Sequence, residues 1–153
     1  MTAGEDEGPD TTGHRPGEVL LVGVDGSPTS DRALEEAFAL APGLRASVCA
    51  VMVVKLVAPT GEQIGATAAL EEAADEVAAS MREVLRSMSE RTGVRSELLV
   101  RRGSVLSELV RAADERPVRM VLVGASTSPG HRLIGALAPR IVRVGRWTVT
   151  VVP

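Results

Sequence analysis

Three short runs of unbroken apolar residues, each followed by a helical pattern, constrain this chain more than any other feature. They are "EVLLVGVD" (18–25), "ASVCAVMVV" (46–54) and "VRMVLVGAS" (118–126). Apolar residues at consecutive rather than alternate positions indicate strands covered on both faces, as in a parallel sheet between two layers of helices. Two further segments complete the set. "VRSELLVRRG" (94–103) is partly polar and is expected at a sheet edge, and "WTVTVV" (147–152) alternates as a fifth strand.

The intervening segments carry helical spacing. In "SPTSDRALEEAFALAPG", Ser27 suits the cap and Pro28 the first helical position. Leu34, Ala37, Phe38 and Ala41 share a face, and Pro42-Gly43 is expected to stop the helix. A loop over 55–65 leads to the longest helix, about 66–92, with Leu70, Ala74, Val77, Met81, Val84/Leu85 and Met88 expected inward and Gly93 as its stop. Ser104 is expected to cap a third helix whose inward face is Val105, Leu106, Leu109, Val110 and Ala113, ending at Pro117. Pro139 is tolerated only in a first turn, so the last helix should begin near Gly135-Ala136 and run to Gly145. Five strands alternating with four helices imply an α/β fold, a doubly wound, five-stranded parallel sheet with helices on both faces, and the order expected for its strands is 3-2-1-4-5.

Composition separates residues 1–17 from the rest. "MTAGEDEGPDTTGHRPG" is acidic, rich in Gly, Pro and Thr, and reads as a disordered tail before a single domain over 18–153. With 44% apolar and 24% charged residues the chain has globular composition, yet Phe38 and Trp147 are its only aromatics, so Val, Leu, Ala, Met and Ile must fill the core. No apolar run approaches the roughly 18 residues of a membrane span, so no membrane association is expected, and no signal-peptide core is evident. Cys49 is the single cysteine, which points to a reducing cytoplasm. The net charge of −3, with basic residues spread among acidic ones and no stacking aromatics between them, argues against a nucleic-acid partner.

In such sheets ligands bind beyond the carboxyl ends of the strands where strand order reverses, here between the first and fourth strands. Asp25 ends the first. Its carboxylate either accepts a ligand hydroxyl or amine, or ties down its own turn by accepting backbone N–H groups. The segment 124–136, "GASTSPGHRLIGA", offers small hydroxyls at Ser126, Thr127 and Ser128 and cations at His131 and Arg132, with Arg140 beyond; it reads either as a phosphate cradle at a helix N-terminus or as an ordinary polar loop. Cys49, inside an apolar strand, reads as an inert buried thiol. No catalytic triad, GxxxxGK[ST] loop or metal-ligand spacing is present, and His14 and His131 pair with nothing nearby in sequence.

From "VLLVGVDGSPTSDRALEEA", "LVRRGSVLSELVRAA" and "VLVGAS…IGALAPRIVRVGRWTVTVV", the chain resembles the universal stress protein family over nearly all of 18–153. The resemblance implies cytoplasmic homodimers that often pair through the last strand, some of them binding ATP. ATP-binding members carry G-x2-G-x9-G-[S/T] after the fourth strand. Here Gly124 matches the first glycine, Thr127 stands at the second with Gly130 three positions later, and Gly135 matches the last. Ala136 replaces the hydroxyl, and the interval is two residues shorter than the motif. Asp25 matches the family's acidic residue near the adenosine and Val53 the position lining adenine. The nucleoside half is thus expected to be retained and the triphosphate half damaged. One lost charge-assisted hydrogen bond costs about 1.5–3 kcal/mol, ten- to a hundredfold in affinity. The expected function is a non-catalytic stress-response module acting by dimerisation and weak adenine-nucleotide binding, with Mg²⁺ present only if ATP is. The alternative is a slow ATP-hydrolysing or AMP-releasing enzyme on the same fold.

Overall fold

A computed structural model of the protein describes residues 17–55, 64–125 and 137–153. Among these, strands and helices alternate as β1 (Val19–Val24), α1 (Pro28–Leu44), β2 (Ser47–Val54), α2 (Ile64–Thr92), β3 (Ser96–Arg102), α3 (Val105–Asp114), β4 (Val118–Gly124), α4 (Leu137–Val144) and β5 (Thr148–Val152). The strands form one sheet in the order β3-β2-β1-β4-β5, every adjacent pair parallel. The class is the one the apolar runs imply, and the order is the expected one.

Successive strand residues point to opposite faces, so each run of consecutive apolar residues feeds two cores at once. Leu20, Val22, Val48, Ala50 and Leu122 pack beneath α1 and α2. Leu21, Cys49, Val51, Val121 and Val123 pack beneath α3 and α4. No helix among the described residues is long and apolar enough to cross a membrane.

The helices depart from expectation in four places. Pro42-Gly43 does not stop α1, which continues through both residues to Leu44. One turn from the end, a proline removes a single backbone bond, and the helix closes instead at Arg45. That residue takes a left-handed φ of 48°, and its N–H donates to the Ala41 and Pro42 carbonyls. In α2 the buried face is Ala78, Met81, Leu85 and Met88, whereas Leu70 (56%), Val77 (42%) and Val84 (43%) are exposed. A 29-residue helix is about 43 Å long and the seven residues of β3 span about 23 Å, so the first half of α2 overhangs the sheet. Residues seven apart also drift about 20° per step around a straight helix, which carries Val77 and Val84 off the inward stripe. Ser104 occupies the N-cap of α3, but its side chain makes no capping bond. Finally, Val110 is only half-buried beside Leu109, Ala112 and Ala113. The expected start of the last helix at Gly135-Ala136 lies outside the described residues.

Candidate functional site

The turn after β1 is built by its own polar groups. Gly26 adopts a φ of +77°, open to glycine at little cost, and lets the chain reverse into α1. Asp25 Oδ1 accepts the Ser27 N–H at 3.0 Å. Ser27 Oγ then caps the helix by accepting the Ser30 N–H at 3.2 Å, while the Ser30 hydroxyl donates back to the Ser27 carbonyl at 2.9 Å. The turn-tying role of Asp25 is therefore present. Among the described residues Oδ2 accepts no hydrogen bond, and the side chain is exposed.

Above this turn lies a cavity of about 580 Å³ at the carboxyl ends of β1, β2 and β4. Its floor is a row across three strands, with Gly23 in register with Val51 on one side and Val123 on the other. In β1, otherwise buried throughout, Gly23 alone is half-buried. Its missing side chain leaves the space open, since a Cβ there would project to within 3.4 Å of Val123 Cγ1 and 3.6 Å of Leu109 Cδ1. Val53 continues the β2 wall. Opposite stand Val105, Leu106 and Leu109 of α3, brought close because the Gly103 N–H donates to the Val54 carbonyl at 3.0 Å. Leu70, on the overhanging half of α2, closes one rim. Lys55 and Arg140 supply cations at the rim, on the β2 and α4 sides respectively. Among the described lining residues, an apolar interior, one carboxylate, two cations and the Ser104 hydroxyl suit an amphipathic anion with a flat apolar part.

Gly124, the last residue of β4, lines the same cavity but is bare for a different reason. A Cβ on it would lie 2.5 Å from the Thr29 carbonyl carbon, 2.6 Å from its oxygen and 2.7 Å from the Ser30 nitrogen. The first turn of α1 runs against β4 here, with Thr29 and Ser30 buried beneath it. Packing alone demands glycine at this position, whatever occupies the cavity.

The structure thus brings Asp25, Val53 and Gly124 to one cavity, together with Arg140. Thr127, Gly130, Gly135 and Ala136, as well as Ser126, Ser128, His131 and Arg132, lie outside the described residues. Gly23, Lys55, Leu70 and the α3 wall were not singled out for this site from the sequence. The only signals available were a glycine inside an apolar strand, where it has no packing use, and the lone lysine at a strand end.

Other reactive groups lie elsewhere. Burial, and then the Glu97 carboxylate, push the Cys49 thiol up from its ordinary 9.0 to about 12. Arg116 bonds Glu97 at 2.9 Å and holds that carboxyl below its usual value. No group of three or more metal-binding side chains occurs among the described residues.

The model of the universal stress protein family matches residues 18–153. No curated protein matches the sequence significantly. Among solved structures, the universal stress protein UspA from Lactobacillus plantarum superposes with a TM-score of 0.77 at 20% identity, covering 92% of this chain and 100% of that one. A universal stress protein in complex with cAMP gives a TM-score of 0.64 at 21% identity, covering 91% and 98%. One from Archaeoglobus fulgidus in complex with dAMP gives 0.60 at 17% identity, covering 90% and 98%.

Proposed function

Because the chain belongs to the universal stress protein family, we propose that it binds an adenine nucleotide in the cavity above Gly23 and acts through that binding rather than through catalysis. The observation that carries the reading is the row Val51-Gly23-Val123, an apolar floor kept open by a missing side chain in an otherwise buried strand. A base lies flat between Val53 and the α3 residues Val105 and Leu106, burying its faces without asking for polar partners. The ribose then meets Asp25, whose Oδ2 accepts a hydroxyl while Oδ1 stays bonded to Ser27. Phosphate points toward α4 and Arg140. Two relatives are named with cAMP and with dAMP, ligands that share adenine and a single phosphate.

Most of the binding energy comes from the nucleoside in this reading, because the hydroxyl that would follow Gly135 is replaced by Ala136. AMP and ATP therefore bind with similar affinity, with Mg²⁺ accompanying only a polyphosphate. Asp25 is the only carboxylate among the described lining residues, and one of its oxygens is occupied by the turn, which leaves it better suited to hold a hydroxyl than to activate water. We further propose a cytoplasmic stress-response role and a homodimer that pairs through β5. That strand ends the sheet, carries Thr and Val in alternation, and leaves Val151 47% exposed.

Thermal melts with AMP, ADP and ATP, each with Mg²⁺, test the reading. Ligand at 100 times its dissociation constant adds about 2.7 kcal/mol. AMP and ATP should shift the midpoint equally, and phosphate release over hours should stay at background. A shift with ATP alone would return the energy to the phosphates, no shift at millimolar nucleotide would remove the ligand, and steady phosphate release would favour the hydrolase.

A further inference from the structure

A second hollow lies at the opposite end of the sheet from the nucleotide cavity and does not depend on it. An open groove of about 660 Å³ runs between the second half of α2 and β3, over a base that includes Leu85 and Leu98. It continues through Gly93, Val94 and Arg95 into a smaller hollow of about 240 Å³ beside Arg45 and Ser47. β3 ends the sheet, so one row of its backbone N–H and C=O groups has no strand partner among the described residues.

The described lining of the two hollows is net positive, with Arg45, Arg82, Arg86 and Arg95 against Glu90 and Glu97. Arg86 bridges Glu83 and Glu90, and Arg116 bonds Glu97. Among the described residues Arg45, Arg82 and Arg95 are exposed and have no carboxylate partner. The N-terminal 16 residues carry the complementary charge, with Glu5, Asp6, Glu7 and Asp10 against Arg15 alone. Their point of attachment is close. Glu18 accepts the Ser47 N–H at 3.0 Å and Arg95 accepts the Val48 N–H at 2.9 Å, so the chain enters β1 two strand spacings, about 10 Å, from the start of β3. Ten residues separate Glu7 from Gly17, and a segment of that length has a root-mean-square reach of about 17 Å when unstructured, more than the distance from the entry of β1 to the start of β3.

We propose that segment 1–16 of the same chain docks along this groove, with Glu5, Asp6 and Glu7 against Arg82 and Arg95, and so shields the open edge of β3. Docking is electrostatic and therefore sensitive to salt.

A nitroxide attached at Ala3→Cys tests this, because the one native thiol, Cys49, is 1% exposed and will not take the label. At low ionic strength the amide signals of 85–98 should lose at least about twofold more intensity than those of 105–113 on the other face, and the excess should vanish in molar salt, where screening acts within about 3 Å. It should vanish equally in the Arg82→Gln/Arg95→Gln double variant, whose amide spectrum reports that the fold is intact. Broadening spread evenly over both faces, or broadening unchanged in the double variant, would overturn the proposal. So would broadening carried between molecules in a mixture of spin-labelled and isotope-labelled chains, since the occupant would then be the segment of a second copy.

Discussion

Replacing Gly124 by alanine in ligand-free protein separates packing from phosphate binding as the reason for this glycine. The added Cβ would start 2.5 Å from the Thr29 carbonyl carbon, where carbon atoms are normally in contact at about 3.5–4.0 Å, so the first turn of α1 must retreat by about 1 Å. Thr29 and Ser30 are buried there and the turn is held by the Ser27–Ser30 bonds, so there is little slack. Overpacking of this kind costs about 1–3 kcal/mol, and weakening one cap bond adds about 1 kcal/mol. Alanine recovers about 0.4–1 kcal/mol by restricting the unfolded chain. The net loss is about 1–3.5 kcal/mol, or a midpoint lowered by about 4–12 °C for a domain of this size. Urea and thermal melts followed by far-ultraviolet dichroism and by Trp147 fluorescence measure it. Gly23→Ala is the internal control: its Cβ meets Val123 and Leu109 at 3.4 Å and beyond, an ordinary contact, so the variant should match the wild type or exceed it slightly. If Gly124→Ala melts with the wild type in the absence of nucleotide, the contact with α1 does not explain the glycine.

Leu70→Ala should leave the melting midpoint within about 0.5 kcal/mol of wild type, because the side chain is 56% exposed, yet weaken AMP several-fold because it closes the cavity rim; equal effects on both would place Leu70 in the core. Cys49 should resist a disulfide reagent at pH 9 in the native state and react at the rate of unfolding. With a folded value near 12 against an ordinary 9.0, the folded state holds the proton more tightly, so stability should fall as pH rises from about 9 toward 12, and Cys49→Ala should flatten that limb of the pH–stability curve. Ala136→Ser should raise ATP affinity about tenfold while leaving AMP nearly unchanged, as measured by calorimetric titration.

How far the sequence could be read depended on which physical quantity each feature reports. β1, β2 and β4 were legible because burial on both faces writes itself into consecutive apolar positions. Helices on both faces fix the class of sheet but not its strand order; the expected order, 3-2-1-4-5, is the one found, and it brings Asp25 and Gly124 to one cavity. The overhang of α2 was not legible, because the spacing of Leu70, Val77 and Met81 reports a helix's period and not where the sheet beneath it ends. Pro42 misled because a proline costs little in a last turn that Arg45 can close. Empty space is the hardest quantity to read. The glycine in "VLLVGV" signals a missing side chain, but only its register between Val51 and Val123 shows that the gap makes the cavity floor. Gly124 matched a phosphate-binding glycine in position, while its contact with Thr29 supplies a reason to be glycine that no local pattern carries.

The most direct measurement is anomalous diffraction from crystals of the protein grown with 8-bromoadenosine monophosphate, in which bromine marks the base. One strong bromine peak is expected above Gly23, between Val53 of β2 and Val105 of α3. Peaks only on the outer surface, or none at saturating ligand, would contradict a nucleotide site in this cavity.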